Sequence, residues 1–183
     1  MELLGEIIHD EKLDLSGQTL TRRAVRGIVL RDRELLMIYS PVNGDYKFPG
    51  GGVNEGESDD EALVREVREE CGAEVDEIGE PYGKMLSYRE AREENFDIFE
   101  MTSRYYRCSI HDRAFGEQQL DGYEKELEFQ PVWVDIRDAI REKETVLESS
   151  EPPRWTKRET FVLNHLNAHL DDDITIQKRG NHG

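Results

Sequence analysis

The sequence predicts one α/β domain, a sheet covered on both faces by helices, and three observations carry that expectation. Runs rich in β-branched and apolar residues at 22–30, 34–39, 97–110 and 129–136 have strand character. Between and after them lie a capped amphipathic helix that opens at Ser58 and two further helical patterns, at 136–143 and 153–170. With 183 residues, 36% of them hydrophobic, the chain can bury one compact core, and a second full domain would be hard to fit.

Residues 1–21 read as an N-terminal extension, in which Gly17 and its polar neighbours form a turn between two short extended pieces that could pair as a hairpin. The domain proper spans 22–170. It starts with the strand at 22–30, which the charged turn Arg31-Asp32-Arg33 joins to the strand at 34–39, so that a β-hairpin is expected. A glycine-rich loop follows, Phe48-Pro49-Gly50-Gly51-Gly52. Next, Ser58 can cap a helix while Glu61 reaches back to it. Leu63, Val67 and Cys71 recur every fourth residue and give that helix a buried stripe, and Gly72 ends it. In the last helical pattern Phe161, Val162, Leu166 and Leu170 are expected on one side, and residues 171–183 read as a flexible polar tail.

Charge narrows the function. With 24 basic and 41 acidic side chains the net charge is -17, which opposes binding to duplex nucleic acid. A small anionic substrate would then need a bridging cation. The N-terminus, Met1-Glu2-Leu3-Leu4-Gly5-Glu6, lacks a basic segment followed by an apolar run, and no stretch reaches the length of a membrane span. Cys71 and Cys108 have no metal-ligand spacing, which suits reduced thiols in a cytoplasmic protein. Assembly as a homodimer is left open.

The chemistry concentrates on the helix opened by Ser58. Glu66, Glu69 and Glu70, at i, i+3 and i+4, fall within about a 100° arc beside the buried stripe. Their mutual repulsion calls for a cation, and an all-oxygen set with no His or Cys suits Mg²⁺, with Mn²⁺ an alternative. A solvated acidic face is the plain alternative. The surrounding residues decide against it, because Gly51, Glu57, Arg65, Glu66, Val67, Glu69, Glu70 and Gly72 stand in the pattern G-x5-E-x7-R-E-U-x-E-E-x-G-U, with U a bulky aliphatic residue. A chance match in a chain of this length is below roughly one in ten thousand.

This segment closely resembles the signature box of the Nudix hydrolases, departing from it only at Ala73, where the last U is expected. The resemblance implies the Nudix fold, an α/β/α sandwich with a mixed β-sheet, in which the box forms a loop-helix-loop holding divalent ions against a diphosphate. It implies a hydrolase that splits a nucleoside diphosphate linked to a group X, with a small nucleotide as substrate. By the same resemblance Glu66, Glu69 and Glu70 are metal-ligand candidates, the backbone carbonyl of Gly51 adds one more, and Glu57 pairs with Arg65 as a brace. For the base, Glu66 and Glu69 compete with a carboxylate from the acidic segment 121–128, where Glu126 has the best spacing from Trp133. Arg22, Arg23 and Arg26 on the first core strand could face phosphates, and Tyr88 could stack a base. The main rival reading is a catalytically silent module of the same fold that senses a nucleotide or recruits a protein.

Overall fold

The computed structural model describes residues 1–111 and 115–170; the expected tail at 171–183 lies outside them. In chain order the elements are β1 (Leu3–Ile8), β2 (Thr19–Ile28), β3 (Leu30–Arg31), β4 (Glu34–Ser40), β5 (Asp45–Lys47), α1 (Asp59–Cys71), β6 (Val75–Glu90), β7 (Ile98–Ile110), α2 (Gly122–Glu126), β8 (Gln130–Asp135), α3 (Ile136–Leu147) and α4 (Thr156–Ala168). They fall into two compact units, Met1–Ile28 with Pro49–Gln119, and Val29–Phe48 with Leu120–Gly183. The arrangement is α/β, as expected. Among the described residues no helix is long and apolar enough to cross a membrane.

The first unit is built on a mixed sheet in the order β1-β6-β7-β2. β6 and β7 run antiparallel, while β1 joins β6 and β2 joins β7 in parallel. Residues 1–20 therefore do not close a hairpin. Their two extended pieces sit at opposite edges of one sheet, because the turn near Gly17 is tied to the start of β7: the Asp97 carboxylate accepts from the Gln18 N–H at 2.8 Å, and the Gln18 carbonyl accepts from the N–H groups of Asp97 and Ile98. The sixteen residues of β6 were not expected as a strand. Gly79, Pro81 and Gly83 punctuate that stretch, and the sheet accommodates them by register shifts on both sides of Pro81.

Helix α1 covers this sheet over β2. Ser58 and Glu61 form the expected reciprocal cap, and Gly72 closes the helix in the left-handed conformation. Leu63, Val67 and Cys71 are fully buried. At Gly27 on β2 an added Cβ would lie 3.1 Å from Cys108 Sγ and 3.4 Å from a Leu63 methyl, so the missing side chain is what lets the helix approach the strand.

In the second unit β4 is the centre. It pairs with β3, β5 and β8, all antiparallel. The expected hairpin survives only as its tip, with Leu30 opposite Leu35 and Arg31 opposite Glu34, and Asp32 takes a positive φ of 54° in the turn. β2 is not part of it, since its partner is β7. Leu35, Leu36, Met37 and Ile38 are buried without alternation, the pattern of a strand covered on both faces. α3 and α4 pack on each other and on β5. In α4 Phe161 is exposed, contrary to expectation, and Leu163 joins Val162 and Leu166 on the buried side, with Leu170 buried just beyond the helix end. The acidic segment at 121–128 is not a plain loop: Asp121 and Glu124 cap each other across the short helix α2.

Charged groups bind these helices to β5. Lys143 donates to Asp45 at 2.7 Å and to the Tyr46 carbonyl at 2.5 Å, and the Thr156 hydroxyl donates to the other Asp45 oxygen at 2.6 Å. Both ends of the Lys143–Asp45 pair are 0% exposed. Burial pulls the Lys143 ammonium below its ordinary range, and the neighbouring Asp45 opposes that shift. Lys143→Met is expected to destabilise the protein by about 3–5 kcal/mol in urea unfolding, because Asp45 is left as an uncompensated buried charge. Adding Asp45→Asn should recover part of that loss; no recovery would mean that packing, and not charge, accounts for it.

Candidate metal and diphosphate site

The loop from Pro49 to Val53 runs along β2 and borrows its partners. The carbonyls of Pro49 and Gly51 accept from the N–H groups of Gly27 at 2.8 Å and Val25 at 2.9 Å, and the Val53 N–H donates to the Arg23 carbonyl at 3.0 Å. Arg26, buried, donates to the Gly50 carbonyl. The fit requires glycine at position 50, where φ is +133° and an added Cβ would meet the Val25 carbonyl oxygen at 2.2 Å.

Helix α1 brings its carboxylates to this loop. Glu70, almost fully buried, accepts from the Gly50 N–H at 2.8 Å. Glu66 lies against Gly51 so closely that a Cβ there would be 2.5 Å from its carboxylate. Arg65 gathers the rest. Its Nε and NH2 donate to the two oxygens of Glu57, each at 2.8 Å, NH2 also reaches the Gly52 carbonyl at 2.9 Å, and NH1 contacts Glu66 at 2.6 Å and Glu69 at 3.4 Å. The pairing of Glu57 with Arg65 is thus present as a two-pronged brace from loop to helix. These bonds hold the Glu57 carboxyl down at about 2.

The donor set is compatible with a hard divalent cation, since it consists of oxygen alone and the space at Gly51 is one that a side chain would fill. The expected convergence is not seen, however: among the described residues no group of three or more His, Cys, Asp or Glu is arranged to hold a metal ion. The reason is the guanidinium of Arg65, toward which Glu66 and Glu69 turn, while Glu70 turns to the loop backbone. The Gly51 carbonyl accepts one hydrogen bond, from Val25, and a carbonyl oxygen has a second lone pair.

The other sequence candidates scatter. Arg22 and Arg26 lie on one face of β2, but Arg26 serves the loop carbonyl, and Arg22 is exposed. Arg26 is level with Tyr105 and, across it, with Gly83, so Tyr88, five residues beyond Gly83, projects from the opposite face of the sheet. The structure does not bring Tyr88 and Arg26 together. The Tyr88 hydroxyl is raised by burial and by Glu100 and Glu6. Glu124 is buried and spent on the cap of α2, and Glu126 is exposed at the end of that helix. One contact escaped the sequence reading altogether: Asp59, the first residue of α1, is held by side chains from β2 and β7.

Comparison with known proteins follows the same residues. The NUDIX domain profile matches residues 20–156. The chain is 31% identical over 93 residues to an RNA pyrophosphohydrolase of a Nitratiruptor species, a match covering 49% of this chain and 57% of that protein. It is 44% identical over 52 residues to an ADP-ribose pyrophosphatase of Methanocaldococcus jannaschii, covering 27% and 31%. These matches span from about a third to a little over half of the relatives' length. Among solved structures, a MutT protein from Methanosarcina mazei Go1 aligns with a TM-score of 0.52 at 19% identity over 84% of this chain and 99% of that one. A MutT protein from Bacillus halodurans aligns with a TM-score of 0.51 at 22% identity over 66% and 72%. At such identities the two structures show a shared fold.

Glu57→Gln is expected to lower stability at pH 7 by about 1–2 kcal/mol, the range for hydrogen bonds to charged groups that are partly exposed. Because the folded-state carboxyl titrates below its ordinary value, the brace contributes fully above pH 4.5 and is lost as pH falls toward 2. Melting temperatures of parent and variant should therefore converge over that interval; a constant gap would show that the charge of Glu57 is not what stabilises the loop.

Proposed function

The chain belongs to the Nudix family, and from that premise we propose that it is a pyrophosphohydrolase, cleaving the diphosphate linkage of a nucleoside diphosphate joined to a group X with the help of Mg²⁺ or Mn²⁺. The observation that carries this reading is the meeting of Glu66 and Glu70 with the backbone at Gly50 and Gly51. The relatives' names, RNA pyrophosphohydrolase and ADP-ribose pyrophosphatase, point to the same bond type.

The Gly51 carbonyl with Glu66, Glu69 and Glu70 would hold the ion. When bound, the ion neutralises the diphosphate oxygens and makes water a better nucleophile at phosphorus. Arg65 has two tasks. Without a cation it keeps Glu66 and Glu69 from repelling each other; with one, its two bonds to Glu57 and its bond to Gly52 keep it in place while the long contact to Glu69 is the easiest to release. Glu69, the more exposed of the Arg65-bound glutamates on α1 at 33%, can then accept a proton from the attacking water, as can Glu66. Glu126 is the candidate for that role, or for a further ligand, from outside the box. Arg22 remains available as an exposed contact for a substrate phosphate.

Incubation with Mg²⁺ and a panel of nucleoside triphosphates, nucleotide sugars, ADP-ribose and dinucleoside polyphosphates tests the reading. Cleavage within a diphosphate linkage is expected, and binding without turnover across the panel would favour a silent module. Glu70→Gln should lower turnover by roughly two orders of magnitude or more, since the lost charge stabilisation is worth several kcal/mol. Near-parental activity at limiting Mg²⁺ would remove Glu70 from the metal site. Replacing Glu124, Glu126 and Glu128 singly with Gln separates the base candidates: a lost ligand at Glu126 raises the Mg²⁺ requirement, and a lost base lowers turnover at saturating Mg²⁺ and flattens the alkaline rise of the pH profile. If all three match the parent, the base lies on α1.

A further inference from the structure

We propose that Asp59 is a positioning residue for the metal site, its carboxylate fixing the rotation of α1 about its own axis and so the direction in which Glu66 and Glu70 point. The inference rests on the metal-binding role proposed for those two glutamates.

Asp59 is held by three side chains from two strands, two through hydrogen bonds and one through an ion pair. Arg23 Nε on β2 lies 3.0 Å from Oδ1, while Arg104 NH1 and the Tyr106 hydroxyl on β7 lie 2.9 Å and 2.6 Å from Oδ2. The strands present these donors together: β2 and β7 pair in parallel with Val25 opposite Arg104 and Gly27 opposite Tyr106, so Arg23, Arg104 and Tyr106 share the face of the sheet that carries α1. Burial acts to raise the Asp59 carboxyl, yet the donors outweigh it and hold the carboxyl below its ordinary range. Arg23 NH2 also reaches the Glu57 carbonyl at 3.2 Å, which links the grip to the loop braced by Arg65.

Helix geometry turns this grip into a setting for the site. Glu66 and Glu70 follow Asp59 by seven and eleven residues, and at 100° per residue both project within about 20° of its direction. Glu69 and Arg65 do not share that stripe. A carboxylate about 6 Å from the helix axis moves about 1 Å for each 10° of rotation, a displacement large enough to matter for a reacting group.

Arg65 and Glu70 tie the later turns of α1 to the loop, at Glu57, Gly52 and Gly50, whereas Asp59 ties its first turn to the sheet itself. The cap formed by Ser58 and Glu61 secures the first turn of the helix but bonds only within it. The stripe of Leu63, Val67 and Cys71 sets the distance to the sheet, and apolar contact is non-directional. The charge-assisted hydrogen bonds from Arg104 and Tyr106 are directional, and the Arg23 ion pair adds to them. Asp59→Ala therefore leaves the helix capped, packed and tied to the loop, but releases its first turn from the sheet.

The test is binding of Mn²⁺ alone, followed by the spin-resonance signal of the free ion, with the melting temperature of each variant measured alongside. Asp59→Ala is expected to weaken Mn²⁺ binding about 10-fold although Asp59 is not a ligand, the size of effect that removing a supporting residue has on metal affinity. Tyr106→Phe, which withdraws one donor, should weaken it less. Ser58→Ala, which destabilises the same turn without touching the grip, should lower the melting temperature and leave Mn²⁺ affinity at the parental value. The proposal is overturned if Asp59→Ala binds Mn²⁺ like the parent, or if Ser58→Ala weakens binding as much as Asp59→Ala does. Glu70→Gln in the same titration distinguishes the two levels: if it also binds like the parent, the metal assignment has failed and the positioning role falls with it.

Discussion

A loop rich in glycine cannot satisfy its own backbone, and the site follows from where the loop between Pro49 and Val53 finds its partners. β2 supplies N–H groups at Val25 and Gly27 and a carbonyl at Arg23, Arg26 caps the Gly50 carbonyl, and Arg65 takes that of Gly52. One backbone donor, the Gly50 N–H, goes to a carboxylate of α1. A buried backbone group left unpaired costs as much as a lost hydrogen bond, so the loop has little freedom to lie elsewhere. Loop, strand and helix are consequently one bonded assembly, and Glu70 joins it through the Gly50 N–H.

The chemistry of α1 uses two kinds of force for two purposes. Apolar burial at Leu63, Val67 and Cys71 holds the helix on the sheet, while arginines decide how its acidic face is presented. Arg65 lies among Glu57, Glu66 and Glu69, and Arg23 and Arg104 flank Asp59. In a chain of net charge -17 these few cations are placed where carboxylates would otherwise repel. A second charged assembly, Lys143 with Asp45 and Thr156, plays the corresponding part for the helices on β5.

Around α1 the local signals in the sequence hold, whereas long-range strand pairing does not follow from it. The cap at Ser58 and Glu61, the stop at Gly72 and the apolar stripe depend on residues within a few positions of each other, and each is present in the structure. Strand pairing depends on partners far along the chain. That is why the possible hairpin at 1–20 and the expected one at 22–39 gave way: β6 takes β1 and β7 takes β2, both in parallel, leaving only the tip at Leu30 and Leu35. β6 was missed because Gly79, Pro81 and Gly83 look like chain breaks, and only pairing with β7, with the extra residues bulged out of β6, makes them part of a strand. At the site, the resemblance of the segment to the Nudix box implied the pairing of Glu57 with Arg65. No spacing could foretell Asp59, whose partners come from strands 36 and about 45 residues away in sequence and carry no motif.

The central proposal is that the carboxylates of α1 and the backbone at Gly51 together would hold one cation. Its most direct test is a titration of isotopically labelled protein with substoichiometric Mn²⁺, following amide signals by NMR. The account predicts selective broadening at Gly51, Gly52, Glu66, Glu69 and Glu70, removed by excess Mg²⁺. Broadening spread over the acidic surface, with those amides no more affected than the rest, would contradict it.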